Sequence, residues 1–345
     1  MNRASFVFLF IAAVFFTGCA QPSVMLDTQS SAVLNKHATD LGKIRRIAVI
    51  PIDDEAPGDG KVYDRRNYVA GDIVELSFIS LGYTVIDRSN LESILKEQSL
   101  SNTGLIDPAD ALKIGQQFGV DALAFVNTSE DLQTTRVRLV DTENGRIVLT
   151  FEQNSAKVND CLRGWDIYRH IKKELKRAGF QIDESRARSY YLGFGFHCAA
   201  CVNDPALIKS IEKVAISPDA KTSMGLFPLL EKGLDVMERS ELGKILKQNG
   251  LAASGILSGE DIKKLGMISG VKGIVFTRIT DQIYKGNINA VIGTLKLVDA
   301  RTGQVVWSVC AGLDRNAGTP DNAKPEEYVA VANKRFGTYL DKIMK

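Results

Sequence analysis

Apolar positions in this chain follow the helical period in some stretches and alternate in others, and then the whole pattern occurs a second time. In Asp87–Gln98, Leu91, Ile94 and Leu95 fall on one helix face. The same stripe returns 151 positions later as Leu242, Ile245 and Leu246. Gly82, Val85, Arg88, Ser89, Lys96, Leu100, Gly104, Asp110, Lys113, Gly115, Gly119, Val120 and Phe125 reappear at the same spacing, with no gap between them. A tandem duplication follows.

The first copy predicts a strand over Arg46–Pro51, a helix over Asp72–Leu81 and a strand over Tyr83–Ile86. A second helix begins at the capping box Ser89–Glu92. A third runs from Asp107-Pro108 to Gly119, with proline at its start and glycine at its end. Ala122–Val126 is a strand. Arg136–Val140 and Arg146–Phe151 are strands joined through Asn144-Gly145, a two-residue hairpin signal. Trp165–Ala178 closes the copy as an amphipathic helix. In the second copy the hairpin is Gly293–Val298 with Gln304–Val309, through Thr302-Gly303, and the closing helix is Glu326–Met344.

Each copy therefore reads β-α-β-α-α-β-β-β-α. The predicted class is α/β: two tandem modules of two or three layers, each a mixed sheet packed by helices. Module one spans 43–179 and module two 208–345, with 180–207 as the linker. In that linker Tyr190–Phe196 alternates large residues with glycine, which predicts an extra strand covering a sheet edge. The alternative is an exposed strand that binds a partner.

The N-terminus adds an address. Arg3 precedes the apolar run Phe6–Phe16, which is shorter than the about 20 residues a membrane helix needs. This is a signal peptide over residues 1–18. Its ending, Phe16-Thr17-Gly18-Cys19, resembles a bacterial lipobox, in which Cys19 is lipidated and becomes the first mature residue. Residues 19–42 are then a tether. Ala20 resembles the residue found after the cysteine in outer-membrane lipoproteins. The expected location is the periplasmic face of a Gram-negative outer membrane, held by lipid.

That compartment changes the reading of Cys161, Cys198, Cys201 and Cys310. An oxidising environment favours disulfides among them, and four cysteines allow three pairings. His197-Cys198-Ala-Ala-Cys201 lacks the residue order of covalent haem attachment, and Ala-Ala is unlike a thioredoxin dipeptide. Structural bridges are favoured over redox or metal chemistry.

Composition narrows function by exclusion. A net charge of +2 gives no case for nucleic acid. There is no HExxH, GxSxG or P-loop, and His37, His170 and His197 lie on separate segments. Asp107, Asp110 and Asp261 are explained by helix starts. Arg88, Arg239, Asp141 and Asp299, kept in both copies, read as structural ion pairs. Arg169, Lys172, Lys173, Lys176 and Arg177 oppose Ile167, Ile171 and Leu175 on the first closing helix, and read as a solvated face. No enzyme, cofactor or metal is expected.

Val85–Gln98, Ser101–Gly104, Gly115–Asp121 and Arg138–Gly145 resemble the curli secretion channel family of CsgG-like lipoproteins. Leu297–Trp307 repeats the resemblance in copy two. The likeness covers most of 43–155 and 208–310. It implies an outer-membrane assembly or export lipoprotein and brings no catalytic residue. Pore-forming members carry long insertions that become membrane hairpins. Here only Asn127–Thr135 separates Val126 from Arg136, and the same connection in copy two, which runs through Asp281–Asn289, is seven residues longer and still polar. The expectation is an accessory factor that binds periplasmic or outer-membrane proteins, without a pore, and open to homo-oligomerisation. The alternatives are a CsgG-type export channel subunit and a cell-wall synthase activator, because activator lipoproteins resemble the same fold.

Overall fold

The computed structural model describes residues 30–34, 41–52, 66–87, 108–128, 134–154, 164–191, 198–217, 225–237, 239–250, 259–284, 287–314 and 325–344. Two mixed sheets organise them. The first has β1 (Ser30–Leu34), β2 (Arg46–Pro51), β3 (Thr84–Ile86), β4 (Ala122–Thr128), β5 (Thr134–Asp141) and β6 (Ile147–Asn154), in the order β3-β2-β4-β5-β6-β1. β2 is parallel to β3 and β4, and the remaining pairs are antiparallel. The second has β7 (Ala187–Tyr191), β8 (Cys198–Val202), β9 (Lys213–Ile216), β10 (Asp235–Met237), β11 (Gly273–Tyr284), β12 (Asn287–Asp299) and β13 (Val305–Asp314). Its order is β10-β9-β11-β12-β13-β8-β7. The first five strands of each order correspond one to one. The duplication seen in sequence is thus a duplication of topology.

The described helices are α1 (Arg66–Ser80), α2 (Pro108–Phe118), α3 (Gly164–Ala178), α4 (Pro205–Ser210), α5 (Leu226–Glu231), α6 (Arg239–Gln248), α7 (Gly259–Ser269) and α8 (Pro325–Ile343). Residues retained between copies hold the joints of this framework. Gly115 on α2 faces the turn after β5, where a β-carbon would lie 2.5 Å from Thr142. Its counterpart Gly266 on α7 faces Ala300, at 3.2 Å. Both permit the same close approach of helix to hairpin. Gly82 and Gly233 take φ of +86° and +77° and end α1 and α5, a left-handed conformation that glycine adopts without a Cβ penalty.

The helix α1 departs from the sequence pattern. Its sequence sets polar residues beside apolar ones, yet every residue from Ala70 to Leu81 is buried. One core joins Ile73, Leu76, Phe78 and Ile79 of α1 to Val137, Leu139 and Phe151 of the first sheet, and the same core includes Val298, Val305, Ala200 and Cys310 of the second. α1 therefore lies between the two sheets, beside α3. At about 1.5–3 kcal/mol per large apolar side chain, this shared layer is a major source of cohesion between the modules. The far face of the second sheet is covered by α5 and α8 through Leu229, Trp307, Phe336 and Leu340. α6 and α7 cover the rest of the near face through Leu242, Leu246 and Leu265. The far face of the first sheet packs on α2 through Ile114, Leu123 and Phe125.

Three further expectations need correcting. Ser30–Leu34, read as tether, is the edge strand β1, zipped to Leu149–Gln153. Its backbone supplies the pairing, which hydrophobic patterning does not reveal. The first hairpin closes through four residues rather than two: Asp141 N–H donates to the Arg146 carbonyl, and Gly145 N–H to the Asp141 carbonyl. The Asp141 carboxylate also accepts from Glu143 N–H at 2.7 Å and the Asn144 amide at 2.9 Å, so it builds the turn. Asp299 repeats this with Arg301 and Thr302 N–H. The supposed connection Asp281–Asn289 is mostly strand, because β11 and β12 pair from Gly273↔Asp299 to Tyr284↔Asn287. The extra edge strand expected of the linker is present, on neighbouring residues. β7 and β8 extend the second sheet beyond β13, so an added edge strand is present, formed by Ala187–Tyr191 and Cys198–Val202. Gly193–Phe196, the Ser89–Glu92 cap, Arg88, His37, His197, Cys19 and Cys161 lie outside the described residues.

Candidate interaction surface

The short helix α5 is fixed by its flanks. Gly225 precedes it at φ +85°, with Leu295 lying 2.5 Å from where a β-carbon would stand. The Gly225 N–H donates to Asn333 Oδ1 on α8 at 2.8 Å. Just beyond α5, Lys232 pairs with Asp341, also on α8. Pro228 and Leu229 are buried beneath the helix. That anchoring turns Phe227 and Leu230 outward, 68% and 51% exposed.

α1 and α5 end at the same repeat position, so their residues can be matched. Phe227 corresponds to Leu76 and Leu230 to Ile79, which are both buried. On α1 these two share a face with Asp72 and Glu75, by the 3.6-residue period. The face meets cations of the second sheet. Lys296 Nζ on β12 donates to Glu75 Oε2 at 3.2 Å and pairs with the Asp87 carboxylate. Arg278 on β11 lies 3.9 Å from Asp72. Lys296 also stands 6.0 Å from the centroid of Phe276, as its counterpart Arg138 stands 6.0 Å from Phe125. The same helix position thus buries an internal seat in module one and displays aromatic and aliphatic surface in module two. A second apolar pair, Met267 and Ile268 on α7, is 84% and 50% exposed, where α2 carries Gln116 and Gln117.

The polar groups elsewhere are committed to structure. A cleft is lined by Lys43, Gln116, Asp121, Asp141 and Glu143. In it Asp121 Oδ2 accepts from the N–H groups of Arg45 and Arg46, each at 2.8 Å, and holds β2 against β4. Asp141 is occupied by its turn. On α3, Ile167, Ile171 and Leu175 are buried while Arg169, Lys173, Lys176 and Arg177 are exposed. Lys172 pairs with Glu184 at 2.5 Å, which fits the solvated-face reading.

His170 is a core residue. Its ring meets Phe151 edge-on at 5.5 Å, and burial, aided by Lys173, lowers its pKa to about 4. The unfolded chain accepts that proton below about pH 6.5, whereas the folded chain refuses it down to about pH 4. Stability should therefore fall as pH drops through this window, by up to about 3 kcal/mol. His170→Leu should flatten that segment of a stability-versus-pH curve.

Cys198 and Cys201 do not form a redox dithiol. They lie three apart on one strand, so their side chains point to opposite faces. Cys198 belongs to the core shared with α1, and Cys201 to the core under α8. Both are buried, as is Cys310. Among the described residues no three His, Cys, Asp or Glu side chains stand together to hold a metal, and no helix is long and apolar enough to cross a membrane.

No signal in a single copy marks Phe227 and Leu230 as surface, since apolar residues on a helix read as core. Only the comparison of repeat positions with burial shows them. Comparisons with known proteins add the following. No curated protein matches the chain. The crystal structure of lipoprotein GNA1162 from Neisseria meningitidis aligns at 21% identity over 37% of this chain and 99% of its own, with a TM-score of 0.27. The LpoB C-terminal domain from Salmonella enterica aligns at 12% identity over 32% and 95%, with a TM-score of 0.24. A PelC dodecamer from Paraburkholderia phytofirmans aligns at 14% identity over 44% and 98%, with a TM-score of 0.27. These scores are too low to bear on the architecture, which rests on the two sheets. The curli-channel resemblance stays with the motifs that carry it. The family model that matches is that of putative GNA1162-like lipoproteins, and the likeness runs over residues 203–327.

Proposed function

We propose that this protein is a non-enzymatic accessory lipoprotein of the Gram-negative envelope. It is held to the outer membrane through Cys19 and binds a protein partner with the exposed face of α5. The observation that carries this reading is the pair Phe227 and Leu230, outward on a helix whose module-one counterpart is buried against a sheet. Large apolar and aromatic anchors of this kind concentrate binding energy. The lipobox and the GNA1162-like match support the lipoprotein part. Assembly of a secretion machine and activation of a cell-wall synthase are both tasks for such a docking protein.

The test is the double substitution Phe227→Glu with Leu230→Glu. The thermal midpoint should change little, because surface positions contribute little to stability. Recovery of the crosslinked partner from intact envelopes should fall about tenfold or more. Unchanged recovery would remove α5 from the interface.

One observation favours the channel as a second reading. β11 and β12 have 12 and 13 residues, against the about 9–11 of a membrane-crossing strand. Asp281 within β11 weighs against a lipid-facing role, since charge at mid-membrane costs about 2–4 kcal/mol for Lys or Arg and a smaller amount for Asp. Purified lipidated protein in planar bilayers should give no unitary currents; reproducible steps would establish the channel.

A further inference from the structure

We propose that Cys198 and Cys310 are joined by a disulfide in the mature protein, leaving Cys201 outside that bond. The proposal rests on the envelope location put forward above, because only an oxidising compartment sustains such a bond.

The geometry selects the pair. β8 and β13 run antiparallel, with Cys198 directly opposite Cys310 in the register. Residues so opposed have Cα atoms about 4.5–5.5 Å apart, inside the about 4.4–6.8 Å that a disulfide spans. Both side chains enter the same core, beneath α1. The Cys310 thiol is hydrogen-bonded with that of Cys198, and this contact, together with full burial, raises its pKa. Cys201 stands opposite Trp307 and Arg188 and enters the other core, so neither sulfur can reach it across the sheet.

Bond formation is a thiol–disulfide exchange with a disulfide-bearing oxidant of the envelope. One cysteine thiolate attacks the oxidant's disulfide and displaces one of its sulfurs. The second cysteine's sulfur then attacks the mixed disulfide and releases the other. One S–S bond forms as the oxidant's breaks, and the two electrons and two thiol protons leave on the oxidant as its dithiol. Both cysteines are fully buried in the fold, so the exchange precedes the closing of β8 onto β13.

The bond would fasten the inter-module segment to the strand that closes the second module, under the helix that module one contributes. It closes a loop of about 110 residues, and chain-entropy arguments then place its effect on Tm at roughly 10 °C.

Two arms separate the pairing from the compartment. In the first, reduced and denatured protein is refolded in a glutathione redox buffer, alkylated, digested and mapped by mass spectrometry without reduction. In the second, protein is trapped with N-ethylmaleimide directly from cells and mapped in the same way. The expected result is a Cys198–Cys310 linked peptide in both arms, kept in Cys201→Ser and absent in Cys310→Ser, with Tm lower by about that amount on reduction. A link in glutathione but alkylated thiols from cells would overturn the bond in the living protein and with it the envelope location. Cys198 or Cys310 alkylated in both arms, or joined to Cys161 or Cys201, would overturn the pairing itself.

Discussion

Lys296→Ala is expected to destabilise the protein by about 3–5 kcal/mol, among the largest effects of any single truncation at the module junction. Lys296 reaches from β12 to Glu75 on α1 and Asp87 after β3, and all three side chains are less than a tenth exposed. Removing the ammonium takes away the buried cation that Glu75 and Asp87 share. Their desolvation is not recovered, and their mutual repulsion is added. Because the group is withdrawn from solvent, the loss should persist at high salt, where surface ion pairs fade. Urea midpoints of wild type and variant measure it. Adding Glu75→Gln to Lys296→Ala should restore part of the loss, since one of the two buried negative charges is then gone. A loss below about 1 kcal/mol would show that water reaches the cluster.

The second large effect is a contrast between two residues at the same repeat position. Leu76→Ala should cost about 2–5 kcal/mol, through lost transfer energy and the cavity left between the sheets. Phe227→Ala, although it removes a larger side chain, should change stability by about 0.5 kcal/mol or less, because that ring already stands in solvent. Equal losses at both sites would mean that α5 is packed in solution and offers no free face.

Much of the framework was legible because local patterning and turn chemistry agree with it. The stripe Leu242, Ile245, Leu246 does become the inner face of α6, with Leu242 and Leu246 buried and Ile245 partly so. Gly119 and Gly270 do end α2 and α7 with positive φ. What stayed hidden depends on partners distant in sequence. Asp72 and Glu75 suggest a solvated face on α1, and nothing nearby announces that Arg278 and Lys296, about two hundred residues on, will neutralise them. The edge strand β1 draws its order from β6, not from its own residues. Asp281–Asn289 looked like a polar loop because strand pairing there is set by the register of β11 on β12, which hydropathy does not encode. The candidate surface failed to show for the opposite reason. Phe227 and Leu230 are sound core residues by type, and only their burial separates them from Leu76 and Ile79.

The most direct test of partner binding through α5 is photo-crosslinking with a benzophenone amino acid at position 227, in cells carrying the full lipidated chain. The account predicts a discrete adduct to one envelope protein, absent when the same probe replaces the exposed Lys272, just before β11. A crosslinking pattern at 227 no different from that at 272 would contradict it.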